Sequence, residues 1–194
     1  MRQYILMFFS AAVLVVTACS TATCPMDTVV TCNYTFYNSD GEKSPLYDTL
    51  TVSIKKLVTV YTYSKAGKND SILRSRSSAL VDSGYTETVG KAEIDTVLIN
   101  SLVNGSSMSI PMSYYKGVDT LVFHYQKILL PDTVYIFHSG YTHVETPECG
   151  SYRFHNLSEI RSTDRCIDRI DIVNPTVNYE KEENVQIFFN SYSE

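Results

Sequence analysis

The sequence contains no tryptophan, only eight glycines and six prolines, and no stretch of fifteen or more residues with a helical period. Tryptophan is the usual platform for stacking a sugar ring, so its absence weakens a glycan-binding interpretation, although fifteen tyrosines remain. The missing helical period argues against a helical fold. Because no proline- or serine-rich linker interrupts the chain, we predict a single domain.

Signatures of common catalytic sites are also missing. There is no G-x-S-x-G, no H-E-x-x-H and no glycine-rich phosphate loop. Glu180, Glu182 and Glu183 cluster around one lysine, and we interpret them as a solvated hairpin tip rather than as paired catalytic carboxylates. We therefore do not expect an enzyme.

A basic surface is lacking as well. Asp and Glu total 21 against 16 Lys and Arg, which gives a net charge of −5. An acidic chain without a basic stripe has little attraction for phosphate backbones, so nucleic acid is not an expected partner.

The first nineteen residues have the layout of a secretory signal. Arg2 precedes an uncharged apolar run that is shorter than the roughly 20 residues a membrane-spanning helix needs. The sequence Val16-Thr17-Ala18-Cys19 then resembles the lipobox of bacterial lipoproteins. The resemblance implies that residues 1–18 are removed and that Cys19 carries a covalent lipid, its link to the membrane. Residues 19–27 would form a short tether before an all-β domain at 28–194, and no other cofactor is expected.

The remaining four cysteines are Cys24, Cys32, Cys149 and Cys166. An even number in an exported protein predicts two disulfides, and the sequence leaves the three connectivities open. Their spacing contains no C-x-x-C, which argues against a metal site built from cysteine.

Alternating apolar and polar residues predict strands over most of the chain. The segments are residues 30–36, 49–54, 108–114, 121–125, 134–137, 170–172 and 185–189. Pro111 indicates an edge or bulged strand, and the apolar run 134–137 predicts burial on both faces. Residues 156–160 could form one helical turn or a bent strand. We expect long connections between residues 64 and 90, with a turn at 65–70.

These strands predict one antiparallel all-β domain, most simply an immunoglobulin-like β-sandwich. A lipocalin-like closed β-barrel is the alternative. Asp-Thr-aliphatic triplets begin at Asp27, Asp48, Asp95, Asp119 and Asp132. We interpret them as strand starts at which the aspartate accepts backbone hydrogen bonds, because calcium ligands would be less scattered.

Two of the four histidines, His138 and His143, lie close together in residues 138–145. We predict that Ser139-Gly140 forms a two-residue hairpin turn, which places His143 and Glu145 on one face and His138 on the other. Two ligands do not make a site, so no metal is expected. The residues that come closest to forming a metal site are His138, His143 and Glu145, with His155 as a further histidine.

Several short motifs resemble those of a family of small lipoproteins of unknown function from the Bacteroidota. They are Cys24-Pro25, Asn33-Tyr34-Thr35-Phe36-Tyr37, Asp48-Thr49-Leu50-Thr51-Val52, Pro111-Met112-Ser113-Tyr114, Glu148-Cys149-Gly150, Ile167-Asp168-Arg169-Ile170 and Val177-Asn178-Tyr179. The resemblance implies an outer-membrane lipoprotein with an all-β fold, and it brings no binding residues. Surface-exposed lipoproteins of that phylum carry acidic residues directly after the lipidated cysteine. Residues 20–23 carry none, which favours a periplasm-facing anchor.

Together these features lead us to expect a non-enzymatic interaction or scaffold module at the outer membrane. Its partner would be a membrane β-barrel or another envelope protein. The alternative function is a β-sandwich that binds a glycan or another small ligand.

Overall fold

The computed structural model describes residue 24 and residues 29–190, and these contain eleven strands and one short helix. The strands are β1 (Thr31–Tyr37), β2 (Thr49–Ser64), β3 (Ser71–Leu73), β4 (Thr86–Val103), β5 (Ser107–Pro111), β6 (Val118–Tyr125), β7 (Asp132–Val144), β8 (Ser151–Ser162), β9 (Ile167–Ile172), β10 (Thr176–Val177) and β11 (Val185–Phe189). The helix α1 (Ser78–Asp82) lies between β3 and β4. Nothing in the described residues forms a helix with the length and hydropathy that a membrane crossing requires.

The strands form two sheets. The smaller sheet has the order β5-β1-β11-β9, and the larger has the order β10-β8-β7-β6-β2 with β4 on the outer side of β2. β3 pairs with the far end of β2, on the same side as β6. All pairs are antiparallel except β1 with β11. Across the described residues the sheets do not close into a barrel, so the predicted β-sandwich is confirmed and the lipocalin-like alternative is wrong.

The core lies between the two sheets because apolar residues alternate along the central strands. Phe36 on β1, Val52 on β2 and Phe123 on β6 are all fully buried. The rings of Phe36 and Phe189 meet edge to face with 5.3 Å between their centroids, which joins β1 to the end of β11. The period-two pattern of the sequence therefore predicts the core-facing side correctly.

Three local predictions have clear outcomes. Pro111 ends β5, which is the edge strand of the smaller sheet, so the predicted edge is confirmed. Residues 156–160 lie within β8 and form no helical turn. The prediction that residues 134–137 are buried on both faces is wrong, because Tyr135 faces solvent while Val134 and Ile136 face the core.

The main departure from the sequence prediction is the hairpin of β2 and β4. β2 pairs with β6 only as far as Ile54, yet β2 and β4 stay paired to Ser64 and Thr86. The paired residues 55–64 and 86–95, which we call the arm, extend roughly 33 Å beyond the β6 pairing. The turn predicted at residues 65–70 follows β2, but much of the expected long connection is β3, α1 and the start of β4.

The arm projects from the same end of the larger sheet as the β7–β8 hairpin. Val118, the first residue of β6, pairs with Phe137, and β7 continues past it to Val144. β2 and β7 run in the same direction, since both are antiparallel to β6. The connection between β7 and β8 therefore lies at the arm end of the sandwich.

Candidate functional site

The arm is a two-stranded ribbon as far as Val60, is joined by β3 at its tip, and has two different faces. One face carries charges, with Lys55 paired to Asp95 at 3.5 Å and Lys91 and Glu93 further out. The other face carries mainly small apolar residues, including the directly opposite pair Val58 and Ala92, with the exposed Lys56 opposite Ile94. This apolar face continues the core-facing side of β2 beyond the end of β6. The side chains of Val58, Val60 and Ile94 on this face are consequently only half-buried, whereas those of the sandwich core are fully buried.

A buried tyrosine fixes the tip of the arm. The hydroxyl of Tyr63 accepts a hydrogen bond from the backbone N–H of Ser77 at 2.7 Å and donates one to Glu87 Oε2 at 2.9 Å. Arg76 contacts the same carboxylate at 3.1 Å. The bond from Tyr63, together with Arg76, lowers the pKa of Glu87 despite partial burial. The segment that contains β3 and α1 is thereby held against the end of the β2–β4 ribbon.

The outer edge of β4 is regular in the arm and irregular near the sandwich. Its pairing with β2 shifts register twice between Leu50 and Ser53, and Ser101 has a φ of 54°. Such bulges protect a sheet edge because they break the row of hydrogen-bonding groups. Residues 86–96 have no register shift, and within residues 29–190 no strand pairs with their outer edge. The arm thus presents an unprotected strand edge.

A second site is a buried polar cluster between β6, β7 and β8. His138 Nε2 lies 3.2 Å from Asp119 Oδ2, and His138 Nδ1 lies 3.1 Å from His155 Nδ1. Burial would raise the pKa of Asp119, but hydrogen bonds from His138 and Ser113 outweigh burial and lower it. Burial lowers the pKa of His155 to about 4, and the neighbouring charges of His138 and Arg153 add to this effect. Both histidines are almost completely shielded from solvent, so the cluster cross-links strands rather than presenting groups to a substrate.

The three residues that come closest to a metal site in the sequence, His138, His143 and Glu145, do not lie together in the structure. His143 stacks on the ring of Phe154 at 4.5 Å, and Glu145 accepts a hydrogen bond from Tyr179 at 2.7 Å. His138 contacts neither, because its two ring nitrogens face Asp119 and His155. Among the described residues there is no group of three or more side chains that could hold a metal ion.

The predicted hairpin turn at Ser139-Gly140 is wrong. Both residues lie inside β7, and the connection to β8 is at residues 145–150. Gly140 leaves room for the guanidinium of Arg153, because a Cβ at residue 140 would lie 2.5 Å from Nε of Arg153. The glycine signal therefore marks the close approach of a side chain and not a change of chain direction.

One of the two predicted disulfides forms. Cys24 and Cys149 are bonded, which ties the chain near its N-terminus to the arm end of the sandwich. The second bridge is wrong, since Cys32 and Cys166 are both buried thiols. The reason is topological: Cys32 lies near the start of β11, whereas Cys166 lies beside Asn190 beyond its end. The separation is roughly 20 Å or more, well beyond the reach of a disulfide. Burial raises the pKa of Cys32 to about 12.

Three of the Asp-Thr-aliphatic triplets act as predicted. Asp48 accepts from the backbone N–H of Thr49 and of Lys127, and Asp119 from that of Ser113. Asp132 accepts from the backbone N–H of Arg165, Cys166 and Ile167 and from two hydroxyls. Asp95 does not follow the prediction, because it lies in the middle of β4 and pairs with Lys55. Asp27 lies outside the described residues. The confirmed carboxylates fasten loops to strands.

A cleft of about 720 Å³ lies at the end of the sandwich opposite the arm. It is lined by the loop between β1 and β2, by Lys127 and Ile128 after β6, and by Phe189 at the end of β11. Tyr47 borders it with 71% of its surface exposed. Lys127 Nζ donates to the carbonyl of Tyr47 at 2.8 Å and so braces one wall. No sequence motif predicts this cleft, because three separate segments form it.

Several predictions fall outside the described residues. These are the removal of residues 1–18, the lipid on Cys19 and, apart from Cys24, the tether of residues 19–27. The disulfide of Cys24 is the described contact nearest to Cys19 along the chain.

The fold and these sites define a two-sheet β-sandwich with a projecting β-hairpin. The chain belongs to the family of unknown function DUF6452, which it matches over residues 86–189, just over half of its length. The matched span begins at the first residue of β4 and ends at the last residue of β11. No curated protein and no solved structure matches the chain. Its function is therefore argued from geometry.

Proposed function

We propose that this protein is a lipid-anchored, non-enzymatic interaction module of the outer membrane of a Bacteroidota cell, and that the arm contacts a membrane or other envelope protein. The projecting arm carries the proposal. A two-stranded ribbon is marginally stable by itself, so a long one with an apolar face gains stability when a partner covers it. Leu57 and Val89, both more than half exposed, lie on the opposite face of the same ribbon.

The position of the disulfide supports a partner near the membrane. Cys24 is five residues after Cys19, and an extended tether of that length reaches roughly 17 Å. Because the disulfide lies at the arm end, a lipid on Cys19 would keep that end close to the bilayer. We propose a periplasm-facing anchor, since residues 20–23 carry no acidic side chain.

Site-specific photo-crosslinking tests the contact surface. A photoreactive residue at position 57 or 72 of the full chain should give the same discrete adduct in intact envelopes. Position 129 is the matched control, because Leu129 is 96% exposed but belongs to the loop between β6 and β7. If the arm positions give only the adducts of position 129, the arm is not the contact surface.

The cleft favours a second candidate function, the binding of a glycan or another small ligand. Its exposed Tyr47 ring is a stacking platform, and Lys43 and Lys127 supply polar contacts at its walls. A glycan array and a thermal-shift screen test this function, with Tyr47→Ala expected to abolish any binding found. An array and a screen without hits would remove this candidate and leave the arm proposal standing.

A further inference from the structure

The outer edge of β4 in the arm is suited to one particular kind of partner strand. An antiparallel strand added to this edge would extend the β2–β4 ribbon, and main-chain hydrogen bonds would supply much of the affinity. Side-chain pairs across the new ladder then decide which sequence fits. The sequence of β4 itself supplies such a fit.

We propose that β4 pairs with β4 of a second copy of this chain, antiparallel, about a two-fold axis that passes beside Ala92. The second copy is then the partner of the proposed interaction module, so this pairing rests on that function. In this register residue 88 lies opposite residue 96 of the second copy, which spans nearly all of the regular stretch of the β4 edge.

Charge complementarity selects this register. Lys91 lies opposite Glu93 of the second copy, and symmetry makes the same pair a second time. A two-fold axis perpendicular to the sheet keeps the equivalent faces of the two strands on the same side. In an alternative register the sum of the two paired residue numbers, here 184, can therefore change only by two at a time. One such step places Lys91 opposite Lys91 and Glu87 opposite Asp95. The opposite step places Glu93 opposite Glu93, and the Asp95 that it brings opposite Lys91 is already paired with Lys55 of its own chain. Like charges directly opposite each other destabilise a ladder.

The apolar face agrees with the same pairing. Ala92 would face Ala92 across the axis, and Ile94 would lie opposite Gly90 of the second copy, which has no side chain of its own and is bordered by Val60. Val58 and Val60 of each β2 flank these pairs. The product is a four-stranded sheet whose apolar residues on this face are contiguous across the axis, with Lys56 of each copy at the border. Such a sheet meets the requirement for independent stability that a two-stranded ribbon does not.

Cysteine crosslinking of the full chain in isolated envelopes tests the pairing. Ala92→Cys brings two thiols to adjacent strands across the axis, roughly 5 Å apart at Cβ, so an oxidant or a short bis-thiosulfonate should give a dimer of twice the chain mass. Ile94→Cys is the matched control, because its two copies lie four residues apart along the ladder, roughly 13 Å. Unsubstituted protein reports the background from the native cysteines.

Charge reversal tests the register. In the Ala92→Cys background, Lys91→Glu or Glu93→Lys alone should weaken self-association roughly tenfold, since each turns two attractive pairs into repulsive ones. The double variant should restore crosslinking. Lys68→Glu, an exposed change in the turn after β2, should have no effect.

Three results would overturn the pairing: equal crosslinking from positions 92 and 94, single reversals without effect, or a double variant that stays weak. An adduct from position 92 whose mass shows a different protein would exclude the second copy but leave the proposed interaction function intact. If positions 57 and 72 gave no photo-crosslinks of their own, the result would instead count against the proposed function itself.

Discussion

Nδ1 of His138 lies 3.1 Å from Nδ1 of His155 between β7 and β8, so one of these two nitrogens carries a proton and donates while the other accepts. Oδ2 of Asp119 lies 3.2 Å from Nε2 on the far side of His138, so with a neutral His155 the three side chains form one chain of polar contacts from β8 to β6. Protonating His155 would place a cation in a site that is almost fully shielded from solvent.

This arrangement predicts that acid destabilises the fold through His155. Its folded-state pKa of about 4 lies below the ordinary 6.5, so the unfolded chain binds a proton that the folded chain does not. The associated stability is present above the ordinary pKa and is lost as the pH falls toward 4, by roughly 3 kcal/mol. Urea unfolding measured between pH 7 and pH 4 should show this loss.

The matched variants separate this contribution from the carboxylates. His155→Asn keeps a hydrogen-bonding atom near the Nδ1 position but cannot titrate, so it should flatten the pH dependence in this window. His124→Asn, at an exposed position on β6, should leave it unchanged. Equal slopes for all three proteins would show that His155 does not control the acid response.

Asp132 should be among the most sensitive single positions for stability. It is fully buried and accepts hydrogen bonds from Arg165, Cys166 and Tyr125, among others. Asp132→Asn replaces one accepting oxygen with a donor that faces other donors, and we expect a loss of about 3 kcal/mol in the free energy of unfolding. Asp168→Asn on the exposed side of β9 should change it by less than about 0.5 kcal/mol. Similar losses in both variants would contradict a special role for Asp132.

Alternation in the sequence predicts the sandwich well because its core strands bury only one face. β1, β6 and β11 carry this signal clearly, as Phe36, Phe123 and Ile187 illustrate. The arm could not be predicted in the same way. Its two faces differ little in burial, since no second sheet covers either of them, and threonines, valines and charges therefore follow one another without strong contrast.

The sites depend on contacts that are distant in sequence. The partner of His138 is on β8 and that of Cys24 is in the connection before β8, so neither follows from local spacing. Gly140 gave a misleading turn signal because the side chain that lies against it, Arg153, is on the neighbouring strand. The Asp-Thr triplets were informative because their hydrogen bonds close loops next to the strand that they begin.

The buried thiol of Cys32 should be unreactive in the folded protein. Burial raises its pKa to about 12, and a thiol rather than a thiolate is a poor nucleophile. A pulse of iodoacetamide at pH 8, read by mass spectrometry of the peptide, should label Cys32 in urea but not in buffer. Leu129→Cys, at a highly exposed position, should label at once in both. Labelling of Cys32 in buffer at a comparable rate would mean that β1 is accessible in the folded state.

The tip of the arm should loosen without unfolding of the sandwich when Tyr63 loses its hydroxyl. Tyr63→Phe removes the bonds to Ser77 and Glu87 and leaves the buried ring in place. Because the arm packs on few other elements, its opening is local, and the free energy of global unfolding should change little. Hydrogen exchange should accelerate at residues 71–90 and stay slow in β6. Tyr61→Phe, two residues earlier on β2, is the matched control and should leave both regions unchanged. Faster exchange throughout the sandwich in the Tyr63 variant would show that the arm and the core unfold as one cooperative unit.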